Sequence, residues 1–128
     1  MSSSTEQKRV LIVDDERLIA DTLATIFSNK GYEARAVYSA EQALELISDW
    51  LPGLAIIDVQ LPGMNGIDFA IRLRAEYPDC KLSLFSGQAS TSDLLELARQ
   101  NGHSFEVLAK PVPPDDFLSQ ASQLLYPN

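Results

Sequence analysis

A chain of 128 residues with 45% hydrophobic side chains has the size and apolar content of one ordinary domain, which excludes a disordered tract and permits a core without covalent staples. Its net charge of −8 argues against direct contact with nucleic acid, because phosphates are repelled. A lone cysteine, Cys80, and a lone histidine, His103, exclude an internal disulfide and a histidine-built metal cluster, and the apolar runs are far too short to span a membrane.

The opening MSSSTEQKR is polar and lacks the features of a secretory leader, so residues 1–8 are expected to be a mobile tail. With Cys80 unpaired, a reducing cytoplasm is the expected compartment. RVLIVD (9–14) is a continuous apolar run that reads as a strand buried on both faces. RLIADTLATIFSNKG (17–31) places Ile19, Leu23, Ile26 and Phe27 on one helical stripe, with Gly31 as its stop. YEARAVY (32–38) alternates like an edge strand. SAEQALELISDWL (39–51) opens with Ser39 and Gln42 at capping-box spacing and is halted by Pro52 and Gly53.

LAIIDV (54–59) is a second buried strand, and QLPGMNG (60–66) is a loop by its Pro, Asn and Gly content. IDFAIRLRAEYP (67–78) reads as a helix ending before Pro78. CKLSLFS (80–86) is a strand, STSDLLELARQNG (90–102) a helix with hydroxyl caps, and FEVLAKP (105–111) a strand stopped by proline. PPDDFLSQASQLLY (113–126) is a final helix with proline and acids at its start. Five alternations of strand and helix imply right-handed crossovers and an α/β doubly wound parallel sheet with five helices.

In such sheets ligands bind beyond the carboxyl ends of the strands, where strand order reverses. Asp14 and Asp15 follow the first strand, Asp58 the third, Ser86 the fourth and Lys110 the fifth. If the order is 2-1-3-4-5, the three carboxylates converge. Like charges at close range need a cation, and oxygen donors without His or Cys point to Mg2+, with Mn2+ as an alternative. Asp15 is then expected as a direct ligand, with Asp14 acting partly through water, and Asp58 supplies a further oxygen. Asp58 is also a carboxylate nucleophile suited to phosphorus, with Lys110 and the Ser86 hydroxyl on the phosphoryl oxygens. The backbone at Val59 and Gln60, next in sequence to Asp58, is expected to meet metal or phosphoryl oxygens, with the Gln60 carbonyl as a metal ligand. Each feature has a plainer reading. Acids after a strand often cap a helix, Asp58 fits an Asx turn, and Lys110 fits a solvated edge.

VLIVDDE, AIIDVQLPGMNGIDF, LFSG and LAKP, in this order and spacing, resemble the receiver domain of two-component response regulators over about residues 9–126. The resemblance implies a flavodoxin-like fold of order 2-1-3-4-5. It also implies Mg2+-dependent transfer of a phosphoryl group to Asp58 from a sensor histidine kinase or phosphotransfer protein. Asp14 and Asp15 match the metal pair, Ser86 the switch hydroxyl and Lys110 the lysine, and the Lys110–Pro111 bond is implied to be cis. In place of the aromatic residue usual three positions before the lysine stands Val107. Phe105 shares its strand face about 7 Å away and is an imperfect substitute.

The expected function is therefore a phosphorylation-controlled signalling module rather than an enzyme with its own substrate. No output domain is expected after the fifth helix. The domain would be a monomer or weak dimer, bind no nucleic acid or membrane directly, and meet its protein partner on the face of the fourth helix, fifth strand and fifth helix. The alternative is a pseudo-receiver, the same fold used as a phosphorylation-independent binding module. A phosphatase is disfavoured because Gln60 stands where such enzymes carry a second acid. A flavin site is disfavoured because acids occupy the loop after the first strand.

Overall fold

The two continuous apolar runs form the centre of the sheet. In the computed structural model, which describes residues 8–87 and 91–127, β1 (Arg9–Val13) pairs in parallel with β3 (Leu54–Asp58), Val10 facing Leu54 and Val13 facing Ile57. Every residue of β3 is buried, as is β1 from Val10 onward. β2 (Glu33–Val37) flanks β1, β4 (Lys81–Ser86) flanks β3, and β5 (Val107–Ala109) closes the far edge, which gives the parallel order 2-1-3-4-5. Helices α1 (Arg17–Asn29), α2 (Ala40–Ile47), α3 (Gly66–Glu76), α4 (Thr91–Gln100) and α5 (Pro114–Leu125) alternate with the strands. The expected doubly wound α/β architecture is the one observed.

The period of two along each strand divides the core. Val10, Ile12, Leu54 and Ile56 pack with Ala20, Leu23 and Phe27 of α1 and Phe117, Ala121 and Leu125 of α5. Leu11, Val13, Ala55 and Ile57 pack with Ala43 and Ile47 of α2, Phe69 and Leu73 of α3, and Ala98 of α4. Burial of each such large aliphatic side chain contributes about 1.5–3 kcal/mol.

The element boundaries are shorter than the sequence pattern suggests. α1 stops at Asn29 because the Lys30 and Gly31 N–H groups fold back onto Phe27 O and Ser28 O, with Gly31 at φ 95°. α2 ends at Ile47, and the Ser48 hydroxyl turns onto Glu45 O. The Ser39 hydroxyl oxygen accepts the Gln42 N–H at 3.1 Å, as the cap reading expects, but the Gln42 side chain accepts from Tyr38 N–H at 2.9 Å. β5 keeps three of the seven expected residues. Arg74 of α3 covers the Phe105 ring at 4.2 Å and donates to Ser104 O at 3.3 Å, which draws residues 104–105 toward α3 instead of into the ladder. Of the tail expected at 1–8, residue Lys8 is described, and its carbonyl accepts the Glu33 N–H at 2.7 Å. The rest of that tail, and the Ser90 cap expected before α4, lie outside the described residues.

Candidate functional site

The chain leaves β1 at Asp14, whose N–H still pairs with Val37 O of β2 at 3.2 Å. That pairing keeps Asp14 fully buried. Its Oδ1 accepts the Glu16 N–H at 3.0 Å, a tight turn that leads into α1. Its Oδ2 is buried with no hydrogen-bond partner. Asp58, the last residue of β3, is 2% exposed. Its Oδ1 accepts the Gln60 N–H at 3.0 Å, and its Oδ2 accepts from Lys110 Nζ at 2.9 Å. Lys110 follows β5, and its N–H extends the ladder to Ser86 O at 3.0 Å. The Lys110–Pro111 bond is cis.

The loop after Asp58 is set by glycine. The Val59 N–H donates to Phe85 O at 3.0 Å, and the Gly66 N–H returns to Val59 O at 2.9 Å. A Cβ on Gly66 would lie 2.2 Å from Asp58 O and 2.7 Å from Val59 Cα, so no other residue lets α3 begin this close to the acid. Asn65 then caps α3 by accepting the Asp68 N–H at 2.9 Å.

Carboxylate oxygens of Asp14, Glu16 and Asp58 come within 4.8 Å of one another. Lys110 Nζ, 3.6 Å from Glu16 Oε1 and 2.9 Å from Asp58 Oδ2, is the ammonium set among them. Burial pushes the Asp14 carboxyl up to about 7; the Glu16 N–H opposes this, the Asp58 charge adds to it, and Lys110 opposes it again. A proton on Asp14 would bridge it to Asp58. Burial works against the Lys110 ammonium, yet its hydrogen bond and attraction to Asp58, with help from Asp14 and Glu16, hold it above its ordinary value. A buried, unpartnered Asp14 oxygen beside two more carboxylates is a donor set that fits a hard divalent cation.

Of the residues singled out in the sequence, Asp58 and Lys110 are hydrogen-bonded, and Asp14 brings a carboxylate oxygen within 4.8 Å of Asp58. Asp15 is exposed, and the third carboxylate in the group is Glu16, which sequence reasoning passed over. Its signal was position alone, an acid immediately before the first helical residue, which reads as a helix-start acid. Ser86 is buried at the end of β4, opposite Ala109. Gln60 is half-buried and touches Asp58 through its N–H. Val107 is half-buried opposite Leu84 and packs on the α2–α3–α4 side of the core, as does Phe105.

A doubly wound sheet with buried acids and a lysine at its carboxyl rim defines the class, a flavodoxin-like α/β domain with its candidate site at the ends of β1, β3 and β5. The chain belongs to the response regulator receiver domain family, which matches residues 10–122. It is 28% identical over 124 residues to the DNA-binding response regulator MtrA of Mycobacterium bovis, covering 97% of this chain and 53% of that protein. It thus spans about half the length of the curated relatives it resembles. Among solved structures, a CheY-like receiver domain protein from Methanospirillum hungatei superposes with a TM-score of 0.80 at 30% identity, covering 91% of this chain and 92% of that one. The receiver domain of NtrX from Brucella abortus superposes at 0.78 with 28% identity, covering 93% and 99%. No helix among the described residues is long and apolar enough to cross a membrane.

Proposed function

We propose that this domain accepts a phosphoryl group on Asp58 from a phosphohistidine donor and signals by changing how it binds a protein partner. The observation that carries the reading is the pairing of Asp58 with Lys110 at 2.9 Å beside the unpartnered Asp14 oxygen. An Asp58 oxygen forms the new O–P bond as the donor N–P bond breaks, and the imidazole nitrogen keeps the electron pair. Lys110 sits where negative charge on the transferring group must be balanced, and the Ser86 hydroxyl, one strand away, donates to a phosphoryl oxygen. Asp14, Asp58 and the Gln60 carbonyl, with Asp15 and Glu16 at the rim, would hold Mg2+ or Mn2+, which would supply neutralising charge to the phosphoryl oxygens when bound.

A protein donor, a sensor histidine kinase or phosphotransfer protein, is supported by the surface next to Lys110. There an apolar groove of about 580 Å3, lined by Leu18, Ile19, Ile26, Pro111, Val112 and Phe117, opens beside the site. Leu18 on its wall is 81% exposed. The output partner is assigned to the α4–β5–α5 face, the domain to the cytoplasm, and its state to monomer or weak dimer.

Val107 favours one second reading. It offers no ring to move with the site, which is what a phosphorylation-independent binding module would also show. Incubation with Mg2+ and a small-molecule phosphodonor separates the two. Uptake of one phosphoryl group that a chelator prevents supports the acceptor. No uptake, together with no Mg2+-dependent spectral change on adding a fluoride-based phosphoryl mimic, favours the binding module.

A further inference from the structure

The loop between Asp58 and α3 is tied locally at both ends, by Gln60 N–H to Asp58 Oδ1 and by Gly66 N–H to Val59 O. Its middle is held from a different element. Glu41, in the first turn of α2, extends its Oε2 to accept the Met64 N–H at 3.1 Å, a bond that bridges 23 positions of sequence. The adjacent Gly63 makes room for it. Gly63 has φ 72°, and a Cβ there would lie 2.8 Å from Glu41 Oε2. Glycine therefore serves both the left-handed backbone and the approach of the carboxylate.

We infer that Glu41 is a positioning residue for the phosphoacceptor loop, holding its apex so that the Gln60 peptide faces the acids at the end of β3. This deepens the functional reading above and rests on it for its consequence at the metal site. Glu41 touches none of the reacting groups and acts through the backbone of residues 60–64. Its bond is charge-assisted, and such bonds are stronger than neutral ones, though solvent exposure limits the effect. Glu41 also lies at the start of α2, where its charge favours the helix, so loss of the side chain has two separable effects. Glu41→Gln keeps an acceptor oxygen and removes the charge, whereas Glu41→Ala removes both.

The test measures amide hydrogen exchange at Met64 and Mg2+ affinity by calorimetry, in the wild type and both variants. Glu41→Ala is expected to speed Met64 exchange and weaken Mg2+ binding, each by roughly fivefold, while exchange in the β3 strand stays unchanged. Glu41→Gln is expected to restore both to within about twofold of wild type. Unchanged Met64 exchange in Glu41→Ala overturns the tether. Faster Met64 exchange with unchanged Mg2+ affinity overturns its role at the site. A wild type that binds no Mg2+ overturns the underlying functional reading instead, a result distinct from either.

Discussion

The centre and the edge of the sheet contribute to the site in different ways. β3 is buried along its whole length and delivers Asp58 at 2% exposure, and buried β1 runs into fully buried Asp14. β5 is three residues long, none of them buried, and is followed by Lys110 with a quarter of its side chain exposed. The two buried acids, Asp14 and Asp58, are therefore fixed by the most deeply packed strands, while their counter-charge comes from an edge strand with no buried residue. Local opening follows local burial, so the edge is where a change at Asp58 can be converted into movement at low cost. The face proposed for the output partner includes that edge.

Core truncation should expose this difference most strongly. Ile56→Ala, at a fully buried site in β3, is expected to cost about 3–4 kcal/mol in urea unfolding, whereas Leu108→Ala in half-buried β5 should cost about 1–2 kcal/mol. Equal costs would remove the contrast. The two glycines flanking the site sharpen it. Gly66→Ala drives a Cβ into the backbone of Asp58 and Val59 and is expected to cost about 3 kcal/mol. Gly87→Ala meets the flexible Lys110 side chain at 3.3 Å and should stay within about 1 kcal/mol.

The buried acid makes a pH-dependent prediction. Asp14 holds its proton more tightly folded than unfolded, since burial raises its carboxyl from 3.8 to about 7. Its contribution therefore favours the fold below about pH 4, declines as pH rises, and is fully unfavourable above about pH 7. Asp14→Asn should remove that slope and stabilise the metal-free protein at pH 8, while weakening Mg2+ binding. A metal-free Asp14→Asn protein less stable than wild type at pH 8 would contradict the electrostatic account. The smallest expected effect is at Cys80, which is 6% exposed with its thiol pushed up to about 12 by burial. It should react with thiol reagents far more slowly in native protein than after denaturation.

The centre was also the part most legible in the sequence. VLIV and LAIID are continuous apolar runs, so their burial on both faces, their place in the sheet and the acids at their ends followed from composition and order. The edge was legible in type but not in length. FEVLAKP reads as a seven-residue strand, and nothing local announces that Arg74, some thirty positions earlier, takes the Phe105 ring and the Ser104 carbonyl. Glu16 was missed for a related reason. Its approach to Lys110 depends on the turn that Asp14 makes with the Glu16 N–H, a contact invisible in a run of three acids. Glu41 is likewise separated from Met64 by a strand and a loop.

The central claim is that Asp58 receives the phosphoryl group, and intact mass tests it most directly. Wild type and Asp58→Ala, both confirmed folded by circular dichroism, are incubated with Mg2+ and a small-molecule phosphodonor. The account predicts a gain of one phosphoryl group in the wild type and none in Asp58→Ala. An equal gain in both proteins would place the acceptor elsewhere and contradict the account.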